Sequence, residues 1–132
     1  MSRLRENLVK EYHIDQLGYD CMGYTYDNFK ELSTHHIIPK HDGGNSKHNN
    51  LCILNRFTSH NYIHLIEEYD YKVFIQISSY LMQEAKNKQI DIEQIKYIHD
   101  LLQFFEYKYR DECNRNNEPI IKPEFKVKRL HL

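Results

Sequence analysis

The sequence lacks the features that mark membrane, secreted and glycine-rich proteins. Its 132 residues include no tryptophan, only four glycines and only three prolines, so long flexible loops are not expected. No apolar run approaches the roughly 20 residues that span a bilayer. The charged N-terminal segment also lacks the apolar centre of a signal peptide. We therefore expect a cytoplasmic protein that does not enter a membrane.

Cysteine is scarce as well. The three cysteines, Cys21, Cys52 and Cys113, are widely spaced and odd in number, which indicates reduced thiols rather than a disulfide framework. None of them belongs to a CxxC pair, so the sequence offers no structural zinc site of the usual kind.

The sequence has no excess of positive or negative charge. The formal net charge is −1, so a polyanionic partner would have to bind local patches rather than a global field. The last eleven residues hold four Lys or Arg against one Glu. Within them Lys126, Lys128 and Arg129 are candidate contacts to nucleic acid, although a solvated terminus has the same composition.

Length and hydrophobic pattern predict one α+β domain over residues 1–132. Helical spacing predicts a first helix over residues 4–16. Two longer helices are expected where apolar residues repeat over 73–85 and 92–109, the second of them capped by Asp91. These apolar stripes are sufficient to pack on each other and on the first helix. No spare apolar face is then expected, which favours a monomer, with a homodimer as the alternative.

The segment before the long helices has strand character. Residues 30–38 alternate loosely as a strand, residues 40–50 have loop composition, and residues 51–54 form a short apolar run typical of a second strand. A helix is expected next, with Asn55 or Thr58 as its N-cap.

This order of elements divides the domain into three parts. A core over about residues 30–69 is predicted to be a β-hairpin packed on a helix. A helical extension over residues 70–113 follows it. An extended basic tail is expected over residues 114–132.

Six of the nine histidines lie within residues 34–64. Residues four apart on a helix share one face, about 5–6 Å apart, so His60 and His64 can point at one ion. The hairpin can bring His35 beside them, giving three neutral imidazoles with open coordination positions. His36 would then lie near the ion without binding it, where an imidazole is suited to take a proton from water. The pattern predicts one divalent ion and one general base.

Cationic side chains near these histidines are candidate phosphate contacts. Hydrolysis of a phosphodiester needs an activated water, stabilisation of charge on the phosphoryl oxygens and help for the leaving oxygen. A metal ion serves the last two needs as a Lewis acid, and a cationic side chain can add to it. The candidates are Lys40, His41, His48 and Arg56. Each of the four can equally be a solvated loop residue that contacts no phosphate.

The stretches HHIIP, GG, NL and HNYIH follow one another in this chain. Over about residues 20–66 they resemble the HNH endonuclease motif. The resemblance implies a ββα-metal core surrounded by additional α-helices, and a DNA endonuclease that uses one metal ion (Mg²⁺, Mn²⁺, Zn²⁺ or Ni²⁺). It makes His35, His60 and His64 the metal ligands and His36 the general base.

The resemblance also assigns a role to an asparagine. Asn50 matches the family residue that holds the base histidine in orientation, because it directly precedes Leu51, and Asn49 is the alternative. Many family members flank the motif with two CxxC pairs that bind structural zinc. Here Tyr24 stands where the cysteine after Cys21 would be. The resemblance therefore implies no structural zinc, with Tyr and Phe packing in its place.

Three functions stay open at this point. The first is a metal-dependent DNA endonuclease, monomeric and therefore nicking one strand at a time, with a phage, restriction, toxin or host-defence role. The second is a non-catalytic nucleic-acid-binding or inhibitory module with the same fold. The third is a purely structural metal site, for which chelation would unfold the protein.

Overall fold

The computed structural model describes residues 3–120 and residue 130, and it confirms the predicted α+β class. Helices surround an antiparallel two-stranded hairpin. In chain order the elements are α1 (Arg3–Glu11), α2 (Ile14–Leu17), β1 (Leu32–His36), β2 (Leu51–Asn55), α3 (Ser59–Tyr69), α4 (Tyr71–Asn87) and α5 (Ile92–Arg115). In this part of the chain, no helix combines the length and the apolar character needed to cross a membrane.

The hairpin lies at the centre of the fold. β1 pairs with β2 from Leu32 opposite Asn55 to His36 opposite Leu51. β1 begins later than the predicted strand because a 3₁₀ turn, Phe29–Glu31, precedes it, and it also ends two residues earlier, at His36. Every residue of β2 is buried, since α1, α3 and α4 all contact this strand.

The prediction of one helix over residues 4–16 is wrong. α1 ends at Glu11, and His13 adopts a left-handed conformation with φ 58° before α2 begins. A left-handed residue cannot continue a right-handed helix. Between the two helices, the hydroxyl of Tyr12 donates to the carbonyl oxygen of Leu51 at 2.7 Å. This contact with β2 fixes the break, and it is not visible in local spacing.

The three later helices begin at polar residues. Asp70 caps α4 by accepting from the amide of Val73 at 3.3 Å. Asp91 caps α5, as predicted, by accepting from the amide of Gln94 at 2.8 Å. Thr58 precedes α3 but its side chain makes no capping hydrogen bond. The residue is fully buried, and among the described residues its hydroxyl has no hydrogen-bond partner.

The tail predicted over residues 114–132 begins later than expected, because α5 continues to Arg115. Residues 121–129, which include Lys126, Lys128 and Arg129, lie outside the described residues. Their predicted contacts to nucleic acid remain predictions.

The apolar stripes of α4 and α5 form much of the core. Fully buried members of the two stripes are Val73, Phe74, Ile77, Leu81, Ile95, Ile98, Leu102 and Phe105. Ile92, however, is 43% exposed, and the opposite face of α5 exposes Tyr97, Phe104 and Tyr107. Those three residues repeat at helical spacing on the side away from the core. The expectation of no spare apolar face is therefore wrong for α5.

Candidate metal centre

Three histidines meet where β1 faces α3. His35 comes from the strand, and His60 and His64 come from successive turns of the helix. One ring nitrogen of each histidine lies within 4.8 Å of the corresponding nitrogen of the other two. The ring centroids are 5.1 Å apart for His35 and His60, 5.6 Å for His35 and His64, and 5.0 Å for the two helix residues. The hairpin thus brings together the three histidines that the sequence analysis proposes as ligands.

The environment keeps the inner two imidazoles neutral. Burial, reinforced by the nearby His60 and His64, lowers the pKa of His35 well below its usual range. Burial also lowers the pKa of His60 to about 4, with smaller effects from the charges of His64 and Arg56. A neutral imidazole keeps a lone pair for a metal ion. Among the described residues, Nε2 of His35 has no hydrogen-bond partner although it is buried.

Exposure increases across the cluster. His35 is 3% exposed, whereas the side chain of His64 is 56% exposed. One side of the cluster is therefore closed by the hairpin and the other is open to solvent. Solvent therefore reaches the cluster from the side of His64.

Two side chains that the sequence analysis missed contact the helix histidines. The hydroxyl oxygen of Ser33 lies 2.6 Å from Nδ1 of His60. Oε1 of Glu67 lies 3.4 Å from Nδ1 of His64. The position of Ser33 two residues before His35 places both on one face of a strand, which is a signal that could have identified it.

His36 is separate from the three clustered histidines. Its place next to His35 in β1 directs it to the other strand face, where its Nε2 lies 3.1 Å from Oγ of Ser46. Partial burial, with Lys40 nearby, lowers the pKa of His36. The residue is still close enough to the cluster for its charge to lower the pKa of His60.

Asn50 braces the loop between the strands. Its Nδ2 donates to the carbonyl oxygens of Ile38, at 3.1 Å, and Asn45, at 2.8 Å. Its Oδ1 accepts from the amide of Ile38 at 2.8 Å. Both amide hydrogens are therefore used by backbone groups. Asn50 therefore acts on His36 only indirectly. It holds the carbonyl of Asn45, and the next residue, Ser46, contacts the His36 ring.

Replacing Asn50 with alanine should lower any cleavage rate by about 10–100-fold, the usual effect of losing an orienting partner. The fold should survive although Asn50 is buried, because its partners belong to Ile38 and Asn45, which are exposed, so water can replace the lost hydrogen bonds. The change is measured by comparing turnover and thermal unfolding of the variant and the wild type. Asn49→Ala, an exposed neighbour, is the control, and the assignment fails if this variant is the impaired one.

The predicted cationic contacts separate into two groups. Lys40 is exposed and lies near His36. Arg56 lies near His60, and its Nη2 donates to the carbonyl oxygen of Leu32 at 3.1 Å. Arg56 therefore lies beside a histidine of the cluster, and Lys40 beside the neighbouring His36.

The other two predicted contacts have carboxylate partners. Nε2 of His41 lies 3.4 Å from Asp42 and 3.6 Å from Glu67. Nδ1 of His48 lies 2.8 Å from Oε1 of Glu11, on α1 rather than at the cluster. The composition of the loop alone did not indicate that His48 would contact a glutamate far away in the sequence.

A buried aspartate fixes the start of α3. Oδ1 of Asp20 accepts from the amides of Met22, at 2.8 Å, and Tyr24, at 3.0 Å. Its Oδ2 accepts from the amide of Asn55 at 2.7 Å and from the hydroxyl of Ser59. Asp20 thereby joins the turn after α2 to the end of β2 and to the first residue of α3. The sequence analysis missed this residue.

α5 closes over the same turn. A ring nitrogen of His99, Nε2, lies 2.9 Å from the carbonyl oxygen of Met22. Gly23 adopts φ 82°, and a Cβ there would lie 2.7 Å from a methyl carbon of Ile95. Only glycine satisfies both the conformation and the close approach.

Comparisons of the chain with models of protein families, with curated proteins and with solved structures found no match. Its function is therefore inferred from the geometry of the histidine cluster and from the order of its residues along the chain.

Proposed function

We propose that the protein is a metal-dependent DNA endonuclease, in which β1, β2 and α3 form a ββα-metal core of the HNH type. The proposal rests chiefly on one observation. The ring nitrogens of His35, His60 and His64 converge within 4.8 Å, and a fourth histidine, His36, lies beside them without joining them. A cluster built only for packing would not need a buried, unpartnered imidazole nitrogen.

The residues fit a divalent ion. The buried Nε2 of His35, which lacks a partner among the described residues, is an acceptor that an ion would satisfy. The low pKa values of His35 and His60 keep their lone pairs available at neutral pH. Three nitrogen donors favour Zn²⁺, Ni²⁺, Co²⁺ or Mn²⁺ over Mg²⁺ in affinity. An ion bound there supplies Lewis-acid stabilisation of charge on the phosphoryl and leaving oxygens.

The remaining steps belong to side chains of this chain. His36 is partly exposed and its pKa is lowered, so it is neutral near pH 7 and can accept a proton from the attacking water. Ser46 contacts its ring, and Asn50 holds the preceding backbone of the loop. Lys40 and Arg56 place positive charge next to the cluster, where they attract and orient a phosphodiester.

Supercoiled plasmid is the appropriate substrate for the test. We expect cleavage with Mn²⁺, Co²⁺, Ni²⁺, Zn²⁺ or Mg²⁺ and none with EDTA. Open-circle DNA should appear first, because one site attacks one phosphodiester per encounter. Purified protein that binds DNA but leaves it intact with every ion would identify the non-catalytic module instead. Unfolding on EDTA treatment without cleavage would identify the structural metal site.

Removal of a ligand should weaken metal binding and cleavage together. His60→Ala should have a larger effect than His64→Ala, because His64 is the more exposed ligand and water can more readily replace it. Isothermal titration calorimetry with Zn²⁺ measures both variants. His13→Asn is the control, since it removes an exposed imidazole outside the cluster, and asparagine suits the left-handed conformation there. Equal Zn²⁺ affinity in His64→Ala and wild type would exclude His64 as a ligand.

A further inference from the structure

Ser33 lies between β2 and the histidine cluster. It pairs with Leu54 in the hairpin, and its hydroxyl donates to the carbonyl oxygen of that residue at 3.2 Å. The same oxygen lies 2.6 Å from Nδ1 of His60. The hydroxyl is thus in contact with a strand carbonyl on one side and with a candidate ligand on the other.

The single proton of the Ser33 hydroxyl determines which tautomer of His60 is selected. A serine hydroxyl has one proton, and two acceptors are in reach, the carbonyl oxygen of Leu54 at 3.2 Å and Nδ1 of His60 at 2.6 Å. We assign the proton to Leu54, whose carbonyl oxygen can only accept, whereas Nδ1 of an imidazole can also donate. The contact with His60 then requires Nδ1 of the imidazole to be the donor. A neutral imidazole has one N–H, so Nε2 is left with a free lone pair.

The opposite arrangement would have the opposite consequence. If Ser33 donated to Nδ1, the proton of the neutral ring would be on Nε2 and that nitrogen could not bind a metal ion. The carbonyl of Leu54 would also lose the hydroxyl as a donor. Fixing the tautomer of a metal-binding histidine through its second nitrogen is a recognised means of raising metal affinity.

We propose that Ser33 is a positioning residue for the metal centre, selecting the Nδ1–H tautomer of His60 and directing its Nε2 toward the cluster. The inference rests on the proposed metal-binding function and extends it to a residue that neither binds the ion nor contacts substrate. The corresponding contact of His64, with Glu67, is longer at 3.4 Å and belongs to a more exposed ring. His60 therefore depends more on its outer partner than His64 does.

The tautomer is tested first, in protein treated with chelator. Long-range ¹H–¹⁵N spectra of the histidine rings distinguish a proton on Nδ1 from one on Nε2. Wild type and Ser33→Thr, which keeps the hydroxyl, should show His60 protonated on Nδ1. Ser33→Ala should show a mixture or the other form. A wild-type ring protonated on Nε2, or an unchanged spectrum in Ser33→Ala, overturns the proposal.

Metal affinity is tested second, by titration with Co²⁺, whose visible absorption reports coordination. Ser33→Ala should bind about 10–100-fold more weakly than wild type, and Ser33→Thr should restore binding. Thr34→Ala removes a hydroxyl from the other face of the same strand, and it should bind as wild type does. Thermal unfolding of each variant separates a loss of fold from a loss of affinity.

The two tests fail in different ways. Wild-type affinity in Ser33→Ala, with wild type itself binding Co²⁺, overturns the role of Ser33 and leaves the metal centre intact. A wild type that binds none of the ions overturns the proposed function and the positioning role with it. In that case the tautomer spectra still decide whether the hydrogen bond exists.

Discussion

His36→Ala is expected to lower the rate of DNA cleavage by about 10²–10⁴-fold, the usual contribution of a general base, while Co²⁺ affinity stays at the wild-type level. The reason is that the two adjacent histidines of β1 point to opposite faces of the strand. His35 turns toward His60 and His64, whereas His36 turns toward Ser46. Loss of the His36 ring therefore removes a proton acceptor and leaves all three candidate ligands in place.

Single-turnover cleavage and Co²⁺ titration of the same preparations measure the two effects separately. His35→Ala is the matched comparison, because it removes the neighbouring ring and should abolish both properties. Ser46→Ala should lower the rate less than His36→Ala, since the ring would remain but lose one contact. If His36→Ala lost the metal and His35→Ala kept it, the roles of the two histidines would be reversed.

Asp20→Ala is expected to destabilise the protein severely. Four donors, three of them backbone amides, converge on this fully buried carboxylate. Each donor left unsatisfied in the interior costs about 1–3 kcal/mol, and the total stability of a domain is only about 5–15 kcal/mol. The variant should therefore be largely unfolded or lose most of its urea resistance.

Urea denaturation followed by circular dichroism measures this loss. Asp100→Ala, an exposed aspartate on α5, is the control and should differ little from wild type. A midpoint for Asp20→Ala close to that of the control would show that the four hydrogen bonds are not needed for the fold.

Asp20 should also make stability depend on pH. Burial raises its pKa from 3.8 to about 6, and the four hydrogen bonds oppose part of this rise. Because the folded state holds the proton more tightly than the unfolded state, the contribution is complete below the unfolded pKa and is lost as pH rises through the folded one. Asp20→Asn, which does not titrate, should lack this decrease between pH 3.8 and about 6. The prediction is contradicted if the free energies of unfolding of wild type and Asp20→Asn change with pH in the same way.

The parts of the site that depend on local spacing could be predicted from the sequence. His60 and His64 are one helical turn apart, and the strand–loop–strand order brings the preceding histidine pair toward them. Such short-range regularities determine which residues share a face. The starts of α4 and α5 at aspartates follow the same local rules.

The supporting contacts depend on long-range packing and were not predictable in this way. Asp20 meets Ser59 across 39 positions in the chain, and Ser33 meets His60 across 27. No periodicity connects such pairs. The break between α1 and α2 and the attachment of His48 to Glu11 have the same origin, since tertiary contacts override local preference. The orienting role predicted for Asn50 stays a prediction, and its partners in the structure are backbone groups that a motif does not specify.

The packing of α5 on Gly23 limits how far the histidine centre can be separated from the rest of the protein. The turn that includes Gly23 holds Asp20, and Asp20 holds the end of β2 and the start of α3. A graft of the hairpin and α3 into another scaffold would transfer the histidines without the contacts that set their spacing. The contacts that support the histidine cluster therefore reach from Asp20 to α5, which makes the helical extension part of its support rather than an appendage to it.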